Sequence, residues 1–144
     1  MALTTSFALA THALVLLASR EETGATSDFI ANSASTHPAR VRRVLAALGR
    51  SGIVEGREGA GGGYRLGRPA AGITLAEVFD VVVDGPVFPL HPREPNAACP
   101  VGRGITHALE ELDREALLGL REALSRRTVA WLVERVQEGA TAAS

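Results

Sequence analysis

The sequence contains no lysine: all fifteen basic residues are arginine. Any anion it holds must therefore be met by forked guanidinium groups rather than by point-charge ammoniums. Cysteine occurs once, at Cys99. One thiol excludes an internal disulfide, a zinc finger and a multi-cysteine iron–sulfur site, and it suits a reducing compartment. Aromatic residues make up only 4% of the chain, so Ala, Leu, Val and Gly carry its apolar content. Long hydrophobic runs are also missing. The stretch from Leu9 to Ala18 is too short to span a bilayer and is interrupted by His12. No Arg precedes Arg20, whereas a signal peptide needs a basic start. The run reads as a buried first helix, and the expected location is the cytoplasm.

What is present suffices for a core: 46% of the 144 residues are apolar. This length fits one domain, or a small domain with an appended arm. The formal net charge is only −1, but the charge is unevenly spread. Residues 37–68 hold seven arginines (40, 42, 43, 50, 57, 65 and 68) against Glu55 and Glu58, while acids outnumber arginines in the remainder. A compact positive segment in an acidic chain has the form of a local anion-binding surface.

The order of elements around that segment is informative. Phe7, Ala10, Leu14 and Leu17 fall near helical spacing and predict a helix over about 4–19. Residues 21–26 form a turn. Thr26, Ser27 and Asp28 then supply N-cap chemistry for a short helix with Phe29, Ile30 and Ala31. His37-Pro38 opens a third helix, since proline is tolerated in a first turn, and Gly52 ends it. Its apolar side is Val41, Val44, Leu45 and Leu48; its other side shows Arg40, Arg42 and Arg43. Two short strands, 53–58 and 64–66, flank the run Gly59-Ala60-Gly61-Gly62-Gly63, which suits a hairpin tip. Helix, short helix, turn, basic helix and hairpin make a helix-turn-helix followed by a wing.

Thr74 caps a further helix that ends near Gly85. Prolines 86, 89, 92, 95 and 100 predict an irregular, semi-extended connector. From Val101 to Val136, Ile105, Leu109, Leu112, Ala116, Leu120, Leu124, Thr128 and Trp131 advance by three or four and predict one long helix. Such a helix on so small a domain cannot bury its stripe alone, and a partner helix is the natural solution. The fold class expected is mainly α with a small β-hairpin wing. Its divisions are a winged helix-turn-helix head (1–85), a proline-rich connector (86–100), a dimerisation helix (101–138) and a frayed tail (139–144).

Several segments together resemble the Rrf-two family of bacterial winged-helix regulators. They are Ser27, Ile30 and Ala31; Val41, Arg43, Val44, Leu45 and Leu48; Ser51-Gly52-Ile53-Val54; Gly59-Ala60-Gly61-Gly62-Gly63-Tyr64-Arg65-Leu66; and Ile73-Thr74-Leu75-Ala76-Glu77-Val78. The resemblance implies a homodimeric transcription regulator that binds double-stranded DNA and acts as a repressor at an inverted-repeat operator. His37, Arg40, Arg42 and Arg43 would enter the major groove, and Thr26 and Ser27 would meet a phosphate. The wing, through Arg57, Gly61, Gly62, Tyr64 and Arg65, would follow the backbone. Ile105, Leu109, Leu112, Ala116, Leu120, Leu124 and Trp131 would form the dimer interface. Family members that hold an iron–sulfur cluster use three cysteines before the long helix. This chain has Cys99 alone, so no metal or cofactor is expected, and Cys99-Pro100-Val101-Gly102 resembles the cluster-free YwnA-like branch.

Cys99 precedes the expected dimer helix, where a helix N-terminus favours a thiolate, and so is a candidate redox sensor; the alternative is a small buried apolar residue. Two other readings remain open. One is a small-molecule-responsive regulator without redox sensing, with Phe88, Leu90 and His91 lining a cavity. The other is a protein-interaction winged helix that lacks DNA binding. An enzyme is not expected, because His12, His37, His91 and His107 are scattered and no nucleophile elbow or paired ligand motif occurs.

Overall fold

The structure is a computed structural model that describes residues 2–143. Helix α1 (Ala2–Ala18) buries Ala10, Ala13, Leu14 and Leu17, the side predicted from spacing. Helix α2 (Ser27–Ser33) is capped by Thr26, whose hydroxyl oxygen accepts the Phe29 N–H at 3.1 Å. Helix α3 (Pro38–Arg50) begins with proline in its first turn and buries Val41, Val44, Leu45 and Leu48. It stops at Ser51, after which Gly52 takes φ +76, a conformation that costs glycine little. Strands β1 (Val54–Arg57) and β2 (Gly63–Leu66) pair antiparallel, with Glu55 opposite Arg65 and Arg57 opposite Gly63. Ala25 and Tyr64 add an isolated bridge that fastens the hairpin to the entry of α2.

Helix α4 (Leu75–Val82) starts with a reciprocal capping box: Thr74 accepts from the Glu77 N–H, and the Glu77 carboxylate accepts from the Thr74 N–H. This satisfies donors that a helix start otherwise leaves orphaned. Leu75, Val78 and Phe79 face inward, and the Phe79 ring meets Phe7 edge-on at 6.0 Å. One core unites α1 to α4 with Ile53, Val54, Ile73 and Val129. Residues 83–99 form no helix or strand, as the prolines require.

The carboxy-terminal arm departs from the single helix expected over 101–138. Helix α5 (Pro100–Ser125) ends, the chain straightens, and helix α6 (Val129–Ala142) begins anew. At the break, the Arg127 carbonyl accepts from the Leu75 N–H at 2.9 Å and the Val129 N–H donates to the Ile73 carbonyl at 2.9 Å. These bonds replace helical ones, and the Thr128 hydroxyl caps the new start by accepting from the Trp131 N–H at 3.2 Å. Burial of Val129, with Leu132 and Val133 packed on the core, holds α6 against α1. The tail predicted to fray from Gly139 is helical to Ala142; Ser144 lies outside the described residues.

Helix α5 is different in kind. It has 26 residues, about 39 Å at 1.5 Å per residue, and not one of them is buried. It is tied to α4 through Arg121 and Asp80 (2.7 Å) and to the connector through Asp113, which accepts from the Phe88 N–H at 2.6 Å.

Candidate nucleic-acid interface

The predicted site residues divide into those that hold the head together and those that reach out. His37 caps α3: its Nδ1 accepts the Ala39 N–H at 3.1 Å. In the neutral ring the proton therefore sits on Nε2, which is left as an exposed donor. Thr26 spends a lone pair on its cap and keeps its O–H free to donate. Ser27 is half-buried and accepts from Arg42 Nη1 at 3.4 Å, so α2 and α3 meet at this point. Arg40 and Arg43 are exposed on α3.

In the hairpin, the register puts Glu55, Arg57 and Arg65 on one face and Gly56 and Tyr64 on the other, because side chains alternate along a strand. At the tip, Gly61 takes φ +75, and a Cβ on Gly62 would stand 2.5 Å from the Arg57 carbonyl oxygen. Both positions need glycine. Tyr64 lies over Gly56 and packs on the core, so its ring supports the wing from behind. A continuous line of contacts joins the parts: Arg42 to Ser27, Ser27 through Thr26 to Gly63, and Gly63 into the wing.

Ion pairing separates these arginines from four others, though not from Arg50, Arg93, Arg103, Arg114 or Arg127, which also lack an ion-pair partner among the described residues. Arg68, Arg121, Arg126 and Arg135 each pair with a carboxylate. Among the described residues, no acid lies within ion-pair distance of Arg40, Arg42, Arg43, Arg57 or Arg65. Arg68, in the same basic segment, is spoken for: it donates to Glu77 at 2.8 Å and to the Gly72 carbonyl at 2.6 Å. Arg20, which lies outside that segment, stacks over Phe29 at 4.5 Å and donates to the Gly24 carbonyl. Its sequence surroundings are acidic, and only the fold brings it to α2.

The predicted dimer stripe is also divided. Leu124 packs against the chain's own core, and Trp131 lies on α6 between Arg127 (4.7 Å) and Arg135 (5.9 Å). Ile105, Leu109, Ala116 and Leu120 are partly covered, and Leu112 is 50% exposed. Val101 (69% exposed) and Leu118 (67%) are open apolar positions that the stripe omitted. Val101 lies three turns before Leu112 and shares its side of the helix.

Cys99 is the exposed N-cap of α5. The N–H groups of Gly102 and Val101 face it and hold its thiol below the usual pKa of 9.0. No group of three His, Cys, Asp or Glu side chains is placed to hold a metal among the described residues. With one thiol, the donor set of this chain does not fit a resident iron centre. Of the residues suggested for a connector cavity, Leu90 and His91 line a cleft with Arg93 and Arg103, whereas Phe88 stands apart from it, 46% exposed. Among the described residues, no helix is long and apolar enough to cross a membrane.

Comparison with known proteins agrees with this architecture. Residues 3–135 match the family model described as Rrf2, iron-dependent transcriptional regulator. Over 123 residues the chain is 33% identical to YwnA of Bacillus subtilis (strain 168), whose name places it among HTH-type transcriptional regulators; the match covers 85% of this chain and 90% of that protein. IscR of T. potens superposes with a TM-score of 0.67 at 20% identity, covering 94% of this chain and 88% of that one. CymR (YrzC), the global cysteine regulator of B. subtilis, superposes with a TM-score of 0.64 at 22% identity, over 91% and 95% of the two chains. At such identities the two structures speak for the fold alone. The family model and the relative go further: this chain belongs to the Rrf2 (Rrf-two) family of winged-helix transcriptional regulators, a non-enzymatic, DNA-binding family.

Proposed function

We propose that this protein is a sequence-specific DNA-binding repressor that works as a homodimer on an inverted-repeat operator. The supporting observation is the set of arginines without acidic partners, Arg40, Arg42 and Arg43 on α3 and Arg57 and Arg65 on the wing, linked through Thr26 and Ser27. Helix α3 would lie in a major groove, where Arg bidentate to guanine is the commonest specific contact. His37 Nε2–H, Thr26 and Ser27 would meet phosphates, and the glycine tip of the wing would let main chain approach the duplex. The unburied length of α5, with Val101, Ile105 and Leu112 along one side, supports pairing with a second copy about a two-fold axis. Two α3 helices would then face adjacent major grooves, with half-sites about one helical turn apart. A dimer seated there excludes other proteins from the same duplex, which is repression.

Duplexes selected from a random pool test this reading. Expected are inverted repeats bound with a steep loss of affinity as salt rises, because each neutralised phosphate releases counterions. An Arg→Ala change at a base contact should cost about 1–3 kcal/mol and relax one position of the site. Failure to retain any duplex in dilute buffer would favour the protein-interaction reading.

The signal we assign to Cys99. Its exposed thiol, reacting through its thiolate form with hydrogen peroxide, would become a sulfenic acid with release of hydroxide. The change falls where the connector meets the proposed dimer helix. Peroxide should weaken operator binding by wild type and leave Cys99→Ser unaffected; equal responses would leave the protein a regulator without redox sensing.

A further inference from the structure

The packing of α6 on α1 leaves a cleft that the DNA-reading surface does not use. It encloses about 440 Å3 and is walled by Ala8, Val15 and Leu16 of α1 and Leu132, Val133 and Val136 of α6. Its polar edge includes His12 Nε2, hydrogen-bonded to Ser33 Oγ at 2.9 Å. A second cleft of about 250 Å3 adjoins it, with Ala8 and His12 lining both. The second cleft is of mixed character: Thr5, Ser35, Thr36 and Arg40 line it beside Leu9 and Ala34, and no acid neutralises the Arg40 guanidinium.

We infer that the paired clefts take a small amphipathic acid, its apolar body between α1 and α6 and its anionic head toward Arg40, and that this acid competes with DNA. The inference rests on the reading of Arg40 as a DNA contact. Two features commit the cleft to this occupant. Its volume falls in the range of small-molecule sites, roughly 300–1,000 Å3, which are mostly apolar with a few placed polar groups. The charge is complementary, since the unpaired cation Arg40 lines the adjoining cleft with three hydroxyl-bearing residues. A carboxylate drawn to Arg40 would occupy the guanidinium needed by a phosphate or base. The body would press on α6, whose start is bonded to the head through Val129 and Ile73.

The test uses the full chain and 8-anilinonaphthalene-1-sulfonate, an aromatic body with an anionic head, as probe. Without DNA, wild type should bind one probe per chain saturably. Ala8→Trp, which fills the shared wall from an exposed position, should weaken binding at least about tenfold, with its circular dichroism, melting and operator affinity unchanged. Should Ala8→Trp fail to fold, Val136→Trp fills the opposite wall. Arg40→Ala should also weaken the probe. With selected operator present, the probe should raise the apparent Kd of wild type and leave that of Ala8→Trp unmoved. Unsaturable binding, equal binding by the filled variants, or binding that leaves operator affinity intact overturns the inference. A change of sedimenting mass in Ala8→Trp overturns it too, by making the cleft an interface between copies. Operator affinity without probe separately tests the DNA reading.

Discussion

The main chains of Ala25 and Tyr64 exchange two hydrogen bonds, Ala25 N–H to the Tyr64 carbonyl at 3.0 Å and Tyr64 N–H to the Ala25 carbonyl at 2.8 Å. They set the entry to α2 beside β2 as a one-residue bridge, so the wing is fixed to the helix-turn-helix by backbone rather than by side chains alone. Two glycines permit the approach. A Cβ on Gly24 would stand 2.5 Å from the Tyr64 carbonyl oxygen, and one on Gly63 would stand 2.8 Å from that of Ala25.

Gly24→Ala should therefore cost more than Gly52→Ala, although both positions lie at positive φ (+65 and +76). Left-handed backbone costs a non-glycine residue about 1–2 kcal/mol at either site. Only Gly24 adds the clash, because a Cβ on Gly52 meets nothing within 4 Å. Denaturant melts of the two variants check the order. In Gly24→Ala, operator affinity should fall further than stability requires, since the wing is displaced; equal losses would show that the approach can relax.

Leu112→Arg should split the proposed dimer. Leu112 stands 50% exposed at the middle of a helix that buries nothing, so the change leaves the head's core untouched and places a charge in the seam. Sedimentation should shift from twice the chain mass to the chain mass. Operator affinity should collapse because each head then binds a half-site singly. Leu118→Arg is the control: Leu118 lies six residues on, about a third of a turn away around the helix from Leu112, and its substitution should leave both properties alone.

The head was largely legible because its periodicity and its packing agree. Val41, Val44, Leu45 and Leu48 were set out by spacing and are buried, and Thr26, Pro38, Gly52 and Thr74 announced the ends of their helices. The break of the arm at Thr128 is not legible in the sequence, for an identifiable reason. Its threonine fits the three-or-four spacing of the stripe and is also a good N-cap, so both a continuous and a broken helix satisfy the local pattern. The decision comes from Ile73 and Leu75, whose main chains bond across the break and are more than fifty positions away. Arg68 presents the same difficulty: only the fold sets it beside Glu77 and removes it from the free cations. The cleft between α1 and α6 had no sequence signal, since it exists only because the chain turns back at that break.

Acid should weaken the α4 cap in a defined direction. The bonds from Arg68 and then from the Thr74 N–H hold the Glu77 carboxyl below its ordinary value of 4.5. A carboxylate lowered in the folded state binds fewer protons there than when unfolded. Its contribution is thus complete above about pH 4.5 and is lost as the pH falls through the lower folded value. Glu77→Gln keeps the shape and removes the titration. The stability difference between wild type and Glu77→Gln should be constant near neutrality and shrink below pH 4.5. A difference that stays flat down to pH 3 would mean that the exposed pair with Arg68 is screened into insignificance.

Cys99 offers a chemical readout independent of DNA. Facing the Gly102 and Val101 N–H groups at the start of α5, its thiol is held below the ordinary 9.0, and it is exposed to reagents. The thiolate is the reacting form, so the rate of alkylation by iodoacetamide should rise with a midpoint below pH 9 in the folded protein and return to an ordinary thiol midpoint in urea. Gly102→Ala probes the geometry behind this, because a Cβ there would run into the Asn96 carbonyl oxygen and push the helix start away from the connector. That variant should move the midpoint upward while α1 to α4, which make no part of this turn, keep the head's stability. An unchanged midpoint would assign the lowered value to something other than the facing backbone donors.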